Sequence, residues 1–159
     1  MKMNNKFFAE PNALNNVADF HRLFNMPVIE NPQIPSIERC NLRISLLQEE
    51  LNEFKEAIEL KDLKEAADAL CDLQYVLSGA ILEFGLADKF KELFDEVQRS
   101  NMSKACSSLE EAERTQQKYL IEKNTVSEIK QKGDKYLVYR LEDGKVLKSI
   151  EYSPAQLEI

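Results

Sequence analysis

Two stretches of the chain carry carboxylates at helical spacing: Glu49, Glu50 and Glu53, then Glu65, Asp68 and Asp72, with Glu56 between them. At 100° per residue, Glu65, Asp68 and Asp72 fall within about 60° of one another on a helix. Leu63, Ala66, Ala67, Ala69, Leu70, Leu73, Val76 and Leu77 take up much of the remaining circumference, so this helix reads as buried. Aligned acids on a buried helix repel one another and carry a heavy desolvation cost unless a cation sits among them.

The preceding helix supplies a complement. Leu46, Glu50, Glu53 and Ala57 form one ridge, and Glu49 lies one turn before Glu53. A short connector at Lys61 turns the two helices antiparallel and brings Glu50 and Glu53 opposite Glu65 and Asp68. Hard oxygen ligands in this number suit Mg²⁺, or Mn²⁺ in its place, and not zinc or copper. A di-iron bundle site would require Glu-x-x-His on two helices, and the only histidine is His21. Taken singly, each acid also has an ordinary reading: Glu56 and Glu59 as solvated charges, and Glu65 as the partner of an Asp62 helix cap.

The elements that must position these acids follow from periodicity and capping signals. A first helix is expected over about residues 12 to 24, with Leu14, Val17, Phe20 and Phe24 on one face beside His21. Pro27, Pro32 and Pro35 hold an extended connector. Ser36 caps a second helix reaching about Leu60, with Leu47, Leu51, Phe54 and Ile58 as its core stripe, and Asp62 caps a third ending near Gly85. A fourth runs over about residues 87 to 99, and Ser108 with Glu111 opens a fifth reaching about Glu122. Beyond it, the Asp143-Gly144 turn is expected to join strands at 136–141 and 146–150, with a further strand at 126–130 before Gly133. The fold class is mainly α with a small C-terminal antiparallel hairpin or sheet.

Length and composition set the outer limits. At 159 residues the chain reads as one domain, with a helical metal-binding core over 1–105 and an additional helix and hairpin over 106–159. A net charge of −7 opposes general affinity for a nucleic-acid polymer. No signal segment or membrane-spanning run is seen. Cys40, Cys71 and Cys106 show neither zinc spacing nor a disulfide framework, which points to a reducing cytoplasm.

Glu49-Glu50-x-x-Glu53, 11 intervening residues and Glu65-x-x-Asp68 together resemble the EExxE…ExxD signature of the all-α nucleoside triphosphate pyrophosphohydrolases (MazG-like). The likeness is greatest to the phosphoribosyl-ATP pyrophosphohydrolase branch. Its second motif helix reads Glu-Ala-Ala-Asp-Ala-Leu-x-Asp-x-x-Tyr-x-x-x-Gly, as do Glu65 to Gly79 here, and it continues into a Ser-Asn-Met-Ser-Lys segment, here Ser100 to Lys104. The resemblance implies an all-α helical bundle, Mg²⁺ held by Glu50, Glu53, Glu65 and Asp68 with Asp72 beside them, and Glu49 or Glu53 as general base. It also implies cleavage of a nucleoside triphosphate between its α- and β-phosphates in a homodimer or dimer of dimers, with nucleotide-pool clearance as one role.

Phosphate-facing groups are expected from Arg99, Asn101, Ser103 and Lys104, which supply charge and hydrogen bonds and otherwise form only a polar helix terminus. Arg43, two turns before Glu50, is a further candidate. His21 is a substrate contact or a packed residue, and Tyr75 a base-stacking or packing residue. Two other functions stay open: hydrolysis of phosphoribosyl-ATP, and a non-catalytic nucleotide-binding or interaction module.

Overall fold

Five helices and a two-stranded hairpin make up the protein in a computed structural model that describes residues 7–159. The chain divides into two compact units, Met1–Phe90 and Lys91–Ile159. Among the described residues no helix is long and apolar enough to cross a membrane.

The first unit holds α1 (Ala13–Leu23), α2 (Ile37–Leu60) and α3 (Leu63–Glu83). Ser36 Oγ accepts from Arg39 N, and the Asp62 carboxylate accepts from Lys64 N and Glu65 N, so both expected caps form. Between them the chain reverses on Lys61, at φ 56°. Lys61 N donates to Ile58 O and Asp62 N to Ala57 O, closing the last turn of α2. α3 packs against both α1 and α2. The connector after α1 is pinned to the end of α3 by Ile29 N donating to Leu82 O and Gln33 N to Phe84 O, each at 3.0 Å.

Burial within this unit departs from the expected stripes. Val17, Ala18 and Leu82 form the small apolar core, and Phe20 and Phe24 are exposed. On α2 only Arg43 and Ala57 are buried; Leu47 and Phe54 are half-buried, and Leu51 and Ile58 face solvent. On α3 burial is confined to Ala69, Ser78, Gly79, Ile81, Leu82 and Glu83, whereas Leu63, Leu70 and Leu77 are 83 %, 50 % and 42 % exposed. The reason is geometric. α1 and the connector cover the C-terminal end of α3, and its N-terminal half has α2 alone as a neighbour, so the helix around Asp68 is not buried in the single chain. Ile37, Ile44, Leu51 and Ile58 on α2, and Leu63, Leu70 and Leu77 on α3, recur at heptad spacing as exposed apolar stripes.

The second unit comprises α4 (Phe90–Met102, from its second residue), α5 (Leu109–Lys123) and the antiparallel pair β1 (Ser127–Lys132) and β2 (Lys135–Arg140). Ser108 Oγ accepts from Glu111 N as expected of a capping box, but Glu111 reaches back to Ser107 N at 2.9 Å, one residue earlier than the usual reciprocal bond. The β1–β2 turn is at Gly133-Asp134, where it is expected, with Lys132 opposite Lys135; the chain turns again at 141–144, where Gly144 N donates to Arg140 O and Arg140 N donates to Lys145 O, each at 2.9 Å. Gly133, at φ 62°, meets the demand of a two-residue hairpin turn for a left-handed first residue. The expected strand at 146–150 is reduced to an isolated bridge between Tyr139 and Val146. It is drawn off the sheet by α5: Ile150 N donates to Thr115 Oγ1 at 3.0 Å, and Ser149 Oγ donates to Glu111. Cys106, Ala112, Val138 and Leu147 form the core beneath.

Candidate active site

Four acids of α2 and α3, namely Glu49, Glu53, Asp68 and Asp72, act on Glu50. Glu49 and Glu53 are exposed on α2, Glu50 and Asp72 are half-buried, and Glu65 and Asp68 are exposed on α3. Burial raises the Glu50 carboxyl above the ordinary carboxylate range, and the negative charges of Asp72, Glu53, Glu49 and Asp68 raise it further. Glu50 Oε2 is buried without a hydrogen-bond partner. Four of the five other expected site acids therefore act on one under-satisfied carboxylate. Glu65 lies a turn nearer the start of α3 and is not among them. Among the described residues no three His, Cys, Asp or Glu side chains converge to metal-ligating distance; the cluster is joined by field and not by contact. An orphaned acidic oxygen facing further carboxylates is a donor set that fits a hard divalent cation.

A second polar group is buried in the same unit. Glu83 accepts from Arg39 Nε at 2.9 Å and Arg39 Nη2 at 2.5 Å, and its Oε1 lies 3.1 Å from Arg43 Nη2. That last approach is an ion pair without hydrogen-bond alignment, since Arg43 Nε and Nη2 have no hydrogen-bond partner. Burial lowers the Arg43 pKa, Glu83 opposes the shift and Arg39 adds to it. His21 is buried, and its Nδ1 donates to Pro27 O at 2.7 Å, which leaves Nε2 as the acceptor of the neutral ring. A Cβ on Gly79 would lie 2.5 Å from Arg43 Nη1 and 3.1 Å from His21 Nε2, so only glycine lets both groups settle on α3. Arg43 and His21 are thus brought together, while Arg39, Gly79 and Glu83 were missed as members of the group. One signal for Glu83 was available: an acid flanked by Ile81, Leu82 and Phe84 must find a cation to be buried.

Tyr75 stands edge-on to Phe20, with centroids 5.6 Å apart, and Phe20 contacts Phe24 at 4.4 Å. A recess of about 520 Å³ in this unit is lined by Leu14, Asn15, Arg22, Glu30 and Asp88 among others, and by none of the clustered acids.

Of the expected phosphate-facing residues, Arg99, Asn101, Ser103 and Lys104 lie in the second unit, where each makes a side-chain hydrogen bond. Arg99 pairs with Glu96 at 2.7 and 2.8 Å and donates to Pro154 O. Ser103 Oγ donates to Ser100 O and accepts from Ser153 N, and Lys104 Nζ donates to Asn101 Oδ1 at 2.8 Å. Arg99 and the backbone N–H of Gln156 hold Glu96 down at about 2. These contacts tie the C-terminal segment to α4.

The family model for phosphoribosyl-ATP pyrophosphohydrolase matches residues 17–101, a span that includes all the clustered acids, His21, Arg43 and Gly79. No curated protein matches the chain. With more than half its length matched, the chain belongs to the phosphoribosyl-ATP pyrophosphohydrolase family of MazG-like enzymes, nucleotide pyrophosphohydrolases that act on phosphoric anhydrides.

Proposed function

We propose that the protein hydrolyses a nucleoside triphosphate between its α- and β-phosphates in a Mg²⁺-dependent reaction, with Mn²⁺ able to replace Mg²⁺. The observation that carries this reading is the buried, unpartnered Glu50 Oε2 in the field of Asp72, Glu53, Glu49 and Asp68. Glu50, Glu53, Glu65, Asp68 and Asp72 would hold the metal. When bound, it supplies charge neutralisation on the phosphates, polarisation of the phosphorus under attack and a more acidic water. Glu49 or Glu53, both exposed on α2, takes the proton of the attacking water as general base. Water adds to phosphorus, the α–β anhydride bond breaks, and pyrophosphate leaves.

Phosphoribosyl-ATP is the second reading, favoured by the description of the matching family. The working form is a homodimer or dimer of dimers, which the exposed heptad stripes of α2 and α3 support: apolar rows of this length gain by covering one another. The free thiols of Cys40, Cys71 and Cys106 fit a reducing cytoplasm, and clearance of unwanted nucleotides fits the chemistry.

Pyrophosphate release from ribo- and deoxynucleoside triphosphates and from phosphoribosyl-ATP, measured with Mg²⁺, with Mn²⁺ and with chelator, tests the proposal. Release that requires the metal is the expected result. No release across the panel would leave a nucleotide-binding or interaction module without turnover.

A further inference from the structure

A recess in the second unit gathers cations on a chain whose net charge is −7. Lys104, Lys123, Arg140, Lys145 and Lys148 line a cavity of about 350 Å³ with Tyr119 in its wall. An adjoining cavity of about 230 Å³ shares Tyr119, Lys123 and Lys148 and adds Lys118, with Glu122 as its one acid. All these residues lie beyond the family match at 17–101.

The walls are held by backbone hydrogen bonds. Arg140 N donates to Lys145 O at 2.9 Å, Leu147 N to Val138 O at 2.8 Å, and Ser149 N to Lys104 O at 3.1 Å. Lys148 N donates to Tyr119 Oη. Arg140 is taken up by Asp143. Lys118, Lys123, Lys145 and Lys148 make no ion pair among the described residues, and Lys104 bonds only the neutral Asn101 side chain. The ammonium groups of Lys123 and Lys148 rest 5.3 and 4.4 Å from the ring centroids of Tyr119 and Tyr152. The positive field of Lys148 and Lys104 reaches the Tyr152 hydroxyl, whose pKa the Ser100 hydrogen bond lowers first and the two lysines lower further.

Lysines without carboxylate partners around two joined cavities match a compact ligand with several negative charges. A nucleic-acid polymer would need a long basic track and would meet an acidic chain. We propose that this recess binds an oligophosphate chain, either free as inorganic pyrophosphate or as the triphosphate of a nucleotide, through Lys118, Lys123, Lys145 and Lys148.

The test is calorimetric titration of the full chain in chelator with inorganic pyrophosphate, with ATP and with a single-stranded oligonucleotide. Both phosphates are expected to bind. The Lys123→Gln/Lys148→Gln double variant is expected to weaken both by at least about tenfold without a change in thermal unfolding, because both side chains are exposed. Glu50→Gln/Asp68→Asn is expected to keep the affinity, which separates this site from the catalytic reading. Tighter binding of ATP identifies a nucleotide as the ligand; equal binding identifies the phosphate chain alone. The proposal is overturned if neither phosphate binds, if the lysine variant binds as wild type does, or if the oligonucleotide binds more tightly than either.

Discussion

Glu50 and Glu111 are the same residue type, Glu111 buried and Glu50 half-buried with its Oε2 withdrawn from water, and the molecule treats them in opposite ways. Around Glu111, burial pushes the carboxyl up, but hydrogen bonds from Ser107 and Ser149 outweigh it and hold the group below its usual range. Around Glu50, burial and four neighbouring acids push in the same direction, and one oxygen has no partner. Glu111 is a finished structural joint between the start of α5 and the 149–151 segment. Glu50 Oε2 is left without a partner, as the proposed cation site requires. The two units differ likewise in their surfaces: the first exposes apolar helix stripes and acids, the second a lysine-lined recess.

The largest effect should come from the acids of the first unit. Glu53→Gln is expected to lower pyrophosphate release by about 10²–10⁴-fold with an unchanged circular-dichroism spectrum; retained turnover removes Glu53 from the reaction. Next is the structural acid. Glu111→Ala should cost about 2–3 kcal/mol in urea unfolding, since its hydrogen bonds are charge-assisted and buried. The pH dependence has a definite sign. The folded Glu111 pKa is lowered, so its contribution is complete above the ordinary glutamate range near pH 4.3. It is lost as pH falls from there through the lowered value. Stability in Glu111→Gln should therefore depend less on pH in that acid range, and an unchanged profile would mean the joint is not made.

Smaller still is the effect on association. Leu70→Lys places a charge in an exposed stripe and should weaken self-association by about tenfold or more in sedimentation, whereas the same change at Ile121, exposed on α5, should not. The smallest effect sharpens the comparison most. Glu50→Gln removes a charge that the fold resists, so the metal-free protein should gain up to about 1 kcal/mol at neutral pH, opposite in sign to Glu111→Ala. A loss of stability would place Glu50 in the same class as Glu111.

Features decided by local chemistry were legible in the sequence. Ser36, Asp62 and Ser108 cap helices where side chain and nearby N–H groups alone dictate it. Both expected turns form, at Gly133-Asp134 and at 141–144, but the strand at 146–150 is cut short because its course depends on a distant partner: α5 captures Ser149 and Ile150. Burial was misread on α2 and α3 because periodicity reports that an apolar face exists, not whether the same chain covers it. Leu51, Ile58, Leu63 and Leu70 are apolar and exposed. That Asp68 and Asp72 act on Glu50 was legible from antiparallel geometry, whereas the expected place of Glu65 beside them was not met, because Glu65 lies a turn nearer the start of α3. Arg39 and Glu83 were not, because they pair across 44 positions of sequence.

The proposed cation site around Glu50 can be measured directly. Mn²⁺ binding to the full chain, followed by loss of the free-ion electron paramagnetic resonance signal, measures this without turnover. Saturable binding by wild type, competed by Mg²⁺ and weakened at least about tenfold in Glu50→Gln and Asp68→Asn, is the expected result. Equal binding by wild type and both variants would contradict it.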